Sequence, residues 1–131
     1  MTPLAVFCAA VVFTVGFLVA VVVTGLRGRT TIHIPCVLAT IVSLSVAVVF
    51  ALKLGKIYDL STAGVIFPIH MIVARIAAVS YVLPVITGIR TLKSRVHRRT
   101  HFWAAMFVLA MTAAASITGT LMLVWADKFS P

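Results

Sequence analysis

Four histidines and one arginine are the side chains of this sequence whose chemistry their apolar surroundings do not account for: His33, His70, His97, His101 and Arg75. A neutral imidazole carries a proton on one ring nitrogen and a lone pair on the other, so it can be anchored through the first and ligate a metal through the second. A guanidinium stays charged and must find an anion or several acceptors. The 131 residues include Lys+Arg 11 against Asp+Glu 2, and the two acids are Asp59 and Asp127. A metal centre built from this chain therefore rests on imidazoles rather than carboxylates, and no HExxH accompanies them. No nucleophile, base and acid stand together, so an autonomous enzyme is not expected.

The surroundings follow from composition. The sequence is 63% hydrophobic and 10% charged, far from the balance of a water-soluble domain. Crossing a bilayer takes about 20 mostly apolar residues, and four such stretches are present, at about residues 3–26, 32–54, 62–89 and 100–125. The links are short, which makes sequential helices antiparallel. The expected fold is an all-α integral membrane protein, an antiparallel four-helix transmembrane bundle forming one domain over residues 1–131. The first stretch lacks a basic leader and is read as a mature helix rather than a signal peptide. Pro35 is expected in the first turn of the second helix, Pro68 and Pro84 are expected to break the third, and Asp127, Lys128 and Pro131 form a tail. Cys8 and Cys36 read as small buried packing residues, not as a disulfide.

Charge sets the expected orientation. Arg27 and Arg29 in the first link, with Arg90, Lys93, Arg95, Arg98 and Arg99 in the third, outweigh Lys53 and Lys56 in the second. The basic links then face the cytoplasm of a bacterial inner membrane, and both termini lie outside. Tyr58 and Trp125 are expected at the outer interface and Trp103 at the inner one. The cations sit at helix ends and form no long basic face, which argues against nucleic acid as a partner. There is also an internal echo, Val23-Thr24-Gly25-Leu26-Arg27 against Ile86-Thr87-Gly88-Ile89-Arg90, each leading to a His near the start of the next helix. The echo is compatible with two related hairpins, although small and basic residues at inner helix ends also suit membrane insertion.

Depth separates the candidate residues. His33, His97 and His101 fall near the cytoplasmic helix ends. His70 is expected about 12 Å inside the outer end of the third helix, with Arg75 close to the middle. Two imidazoles from different helices suit axial ligation of a b-type haem, and the absence of CxxCH excludes covalent c-type attachment. His33 with His97 or His101 is the pair matched in depth, whereas His70 is about 25 Å away along the membrane normal and belongs to another site. Arg75 is expected to face the bundle or a partner, with hydroxyls such as Ser43, Ser45, Ser80, Tyr81, Thr112 and Thr118, or a bound anionic group, as acceptors. The alternative is a structural or assembly subunit of a membrane complex, which uses the same groups for lipid and protein contacts and holds no cofactor.

One resemblance bears on that choice. His70, the basic link ending His97-Arg98-Arg99, Trp103 and the pair Thr118-Gly119, with His33 opening an earlier helix, resemble a bacterial family of small multi-helix membrane proteins of undefined function. Some members are associated with maturation of haem-copper oxidases. The resemblance implies an assembly-factor role or a member recruited as a fixed subunit, and the chain is expected to work with other membrane subunits or a redox partner. The chain departs from the pattern at Ile34-Pro35, where basic residues are usual, and at His101, where the family pattern has Gly.

Overall fold

The computed structural model describes residues 2–128, so Pro131 of the expected tail lies outside the described residues. Over the described residues the chain is all-α apart from one two-residue strand pair, with four helical spans long and apolar enough to cross a membrane. It divides into two compact units, Met1–Asp59 with Asp127–Pro131, and Leu60–Ala126.

In the first unit α1 (Pro3–Leu26) and α2 (Thr30–Leu54) form an antiparallel hairpin. Thr2 caps α1 by accepting the Ala5 amide at 3.3 Å, and Pro3 occupies the first helical position, where no amide proton is needed. The turn between the helices is closed by two backbone bonds, Arg29 N–H to Thr24 C=O at 3.0 Å and Gly28 N–H to Gly25 C=O at 3.2 Å. That pattern places the residue after the cap in the left-handed region, and Gly28 has φ 66°. Small residues let the helices approach: Ala10, Thr14, Thr40 and Ala47 are buried between them. The Thr14 and Ser43 hydroxyls lie 3.0 Å apart and both reach the Ala10 carbonyl, at 2.8 and 2.9 Å. Two short strands, β1 (Tyr58–Asp59) and β2 (Asp127–Lys128), pair antiparallel in the same unit.

The second unit contains α3 (Ile66–Ser80), α4 (Val82–Lys93) and α5 (Arg98–Trp125). The third span is interrupted at Tyr81. Pro84 has no amide proton and its ring crowds the carbonyl four residues back, which is that of Ser80, the last residue of α3. Pro68 does not break the helix, because it stands in the first turn of α3. Ala77 and Ser80 of α3, with Val108, Thr112, Gly119 and Met122 of α5, are the buried residues of these helices.

Several expectations are corrected. The third span starts at Ile66 rather than near residue 62, because Leu60–Ala63 is a 3-10 turn and Gly64 has φ 62°. His70 is therefore the fifth helical residue, about 6 Å from the helix end and not 12 Å. Pro35 lies inside α2, since that helix begins at Thr30. Cys8 is exposed and Cys36 half-buried, both as free thiols, so Cys8 does not pack inside its hairpin.

Most of the apolar surface faces outward, with Val12, Val79 and Val124 exposed by 70%, 74% and 71%. Such faces belong in hydrocarbon, and the chain is a multi-pass membrane protein. Trp103 and Trp125 are exposed near the two ends of α5. They stand about 33 Å apart along the helix, the spacing of the two aromatic belts of a bilayer.

Replacement of Gly28 or Gly64 by Ala is expected to destabilise the fold by about 1 kcal/mol each through the positive φ. Gly16→Ala, which meets nothing within 4 Å and lies mid-helix, should be neutral or stabilising. Denaturant titration of the reconstituted protein checks the contrast; equal effects at all three positions would contradict it.

Candidate functional site

Three of the four histidines are held in the same way. Each packs against a Thr-Gly pair on a neighbouring helix: His33 on Thr24-Gly25, His101 on Thr87-Gly88, and His70 on Thr118-Gly119. A helical threonine donates its hydroxyl proton to its own backbone, and here the bonds are Thr24 to Ala20 C=O at 2.7 Å, Thr87 to Leu83 C=O at 2.8 Å and Thr118 to Ala114 C=O at 2.8 Å. The single proton of each hydroxyl is then committed. The oxygen faces a histidine Nδ1 at 3.2, 3.1 and 3.0 Å for His33, His101 and His70 respectively. Only Nδ1–H donating to that oxygen completes each pair. His33 Nδ1 is also 3.0 Å from the Val21 carbonyl, which can only accept. In a neutral ring the tautomer follows: the proton is on Nδ1, and Nε2 carries the lone pair.

The glycines make room for the rings. A Cβ at Gly25 would stand 3.2 Å from His33 Cε1, one at Gly88 3.3 Å from His101 Cε1, and one at Gly119 only 2.9 Å from His70 Cε1. The first two seats correspond in order: the Thr-Gly pair is on the earlier helix and the histidine is the fourth residue of the next, across a basic link, but Thr24-Gly25 stands at the end of α1 whereas Thr87-Gly88 lies mid-helix in α4, which runs on to Lys93. The third seat reverses the order, with His70 early in α3 and its Thr-Gly pair late in α5. His101 and Thr118 are separated by about 26 Å along α5, so the two seats of the second unit are at opposite ends of that helix. All three imidazoles are half-buried.

The remaining candidates sit differently. His97 is exposed, in the 3-10 turn Arg95–His97 that precedes α5, so it shares no α-helical face with His101 and has no Thr-Gly seat. Arg75 is exposed, so of the two expected directions it takes the one away from its helix neighbours, where a partner rather than the bundle would meet it. The buried stripe of α3 is set by Ala77 and Ser80, and Arg75, two residues before Ala77, is carried about 200° around the helix to the opposite side. The hydroxyls expected to receive it bond elsewhere: Tyr81 with Thr112 at 2.9 Å, Ser80 with Ala77 C=O at 2.7 Å, Ser45 with Ile41 C=O at 2.8 Å, Thr118 with His70, and Ser43 with Thr14.

Among the described residues no three His, Cys, Asp or Glu side chains converge as metal ligands. The donors that the seats supply are oriented imidazoles. The echo of Thr24-Gly25 with Thr87-Gly88 is visible in the sequence, but its role as a histidine seat is not. The third seat has no linear signal, because 48 residues separate His70 from Thr118. Comparison of the chain with known protein families, with curated proteins and with solved structures finds no match.

Gly119→Ala is expected to cost about 1–3 kcal/mol by overpacking against His70, and more than Gly25→Ala or Gly88→Ala, whose contacts are longer. Nitrogen-15 spectra of histidine-labelled protein should show Nδ1-protonated rings for His33, His70 and His101. An Nε2-protonated signal for these three rings would contradict the seating.

Proposed function

We propose that the chain binds haem b and serves respiratory electron transfer, as a multi-pass protein of a bacterial inner membrane with both termini outside. The observation that carries this reading is the shared seat, three imidazoles each with Nδ1 about 3 Å from a threonine oxygen. A bound imidazole ligates iron through one nitrogen while the other donates to a hydroxyl or carbonyl that sets the ring's orientation and basicity. Thr24, Thr87 and Thr118 supply that acceptor for His33, His101 and His70. The residues present fit the group in their chemistry: each seat holds Nδ1 on a half-buried ring steadied against a glycine, and in this reading Nε2 is the nitrogen that would ligate iron.

In this reading His33, His101 and His70 are the ligands. His97 is left out of the set because it lacks a seat and lies in the exposed link, and Arg75 because it faces outward. Haem, when bound, supplies a one-electron iron couple whose potential follows axial ligation and burial. The seats contribute ring orientation and ligand basicity, and the scarcity of carboxylates leaves an electropositive surrounding at the basic links. In this reading electrons are exchanged through other membrane subunits or a redox partner. A link to oxidase maturation, as the resemblance of His70, His97-Arg98-Arg99 and Thr118-Gly119 implies, accords with such a role.

One observation favours a second reading. The three Thr–His bonds cross between helices and act as interhelical ties whether or not iron is bound. A structural or assembly subunit without a cofactor would use them in that way.

Purification from haem-replete cells separates the two. The first reading expects a Soret band that is lost or shifted in His33→Ala and His101→Ala, and haem affinity lowered about 10–100-fold in Thr87→Val, with His97→Ala unchanged. A folded, colourless preparation would establish the second reading instead.

A further inference from the structure

A cleft in the second unit is not absorbed by the histidine seats. It has a volume of about 650 Å³ and lies between the end of α4 and the start of α5, lined by Leu83, Thr87, Val96, Arg99, Thr100, Trp103 and Ala104. The cleft is open rather than enclosed, since Leu83, Val96, Arg99, Thr100 and Trp103 are exposed. Its lining is amphipathic in an ordered way. Leu83, Val96, Trp103 and Ala104 supply an apolar wall, and Arg99, Thr100 and Thr87 a polar one.

The charge of the surroundings selects the ligand. Between Leu60 and Ala126 the chain carries Arg75, Arg90, Lys93, Arg95, Arg98 and Arg99 and no Asp or Glu, so this unit offers Arg99 no carboxylate. The start of α5 adds to the demand, since His97 provides no side-chain cap for the first helical amides and the positive end of a helix favours an anion near it. The ligand is not a simple soluble anion, because the wall is mostly apolar. Leu83 and Trp103 are 48% and 62% exposed on helices of the spans, and Val96, 84% exposed, stands in the link between them, so the cleft opens at the edge of the lipid.

We propose that this cleft holds one anionic phospholipid, its phosphate on Arg99 and Thr100 and an acyl chain along Leu83, Trp103 and Ala104. Basic pockets between membrane helices on the positively charged side recognise anionic headgroups in this way. The lipid shares a wall with the His101 seat, because Thr87 lines the cleft and also accepts the His101 Nδ1–H. Bound lipid thereby steadies the α4–α5 link on which that seat is built. The site stands whether or not the protein binds haem.

The test uses the full chain with Trp125→Phe, so that Trp103 is the single tryptophan. The protein is reconstituted in phosphatidylcholine vesicles containing brominated phosphatidylglycerol or brominated phosphatidylcholine, and Trp103 emission is read. Phosphatidylglycerol should quench at a mole fraction at least about tenfold lower than phosphatidylcholine. Arg99→Gln should remove most of that preference, whereas Arg95→Gln, of equal charge change but outside the cleft, should shift it by no more than about twofold. Ala104→Phe, which keeps the charge and fills the cleft, should also remove it. Equal quenching by the two lipids, or equal shifts in Arg99→Gln and Arg95→Gln, would overturn the proposal in favour of diffuse attraction to the surface. Competition by millimolar inorganic phosphate would overturn it in favour of a soluble anion.

Discussion

The interaction on which the candidate site depends is a threonine hydroxyl with its proton already spent. In lipid a helical threonine closes a bond to its own backbone, since water is not available to take that proton. Its oxygen is then an acceptor only, and a histidine packed against it can present only Nδ1–H. Three times in this chain that local rule sets the ring nitrogen left with the lone pair. The glycine after each threonine completes the device by leaving the volume of a methyl group for the ring.

This arrangement is built from residues that a membrane helix tolerates. Threonine satisfies itself in the span, glycine and alanine allow close approach, and a neutral imidazole costs less than a charge in hydrocarbon. The same small residues hold the hairpins together, so seat and packing are one structure. Arg75 is the exception, turned away from the buried stripe of α3 within an apolar span. The positive charges otherwise gather at the links, where they orient the chain and, around Arg99, border an amphipathic cleft.

The helices were legible because long apolar runs leave the backbone no other way to satisfy its polar groups in lipid. The break of the third span was legible too, although Pro84 acts four residues upstream, at the carbonyl of Ser80, so the helix yields at Tyr81. Boundaries were less so. A 3-10 turn at Leu60–Ala63 looks like helix in composition, and it moved His70 one turn nearer the end of its span. The direction of Arg75 could not be read from an acid-free sequence by asking where acceptors exist. Helical angle relative to Ala77 and Ser80 decided it.

What the sequence determined by itself is the medium: four apolar lengths, two acids and cations confined mostly to the links require a multi-pass membrane protein, because burial of backbone and charge in hydrocarbon admits few alternatives. It also marked the histidines as unusual. Only the tertiary structure decided which of them are seated, since a seat needs a threonine oxygen about 3 Å away on another helix. For His70 that oxygen is brought across 48 residues by helix packing and by nothing local in the chain.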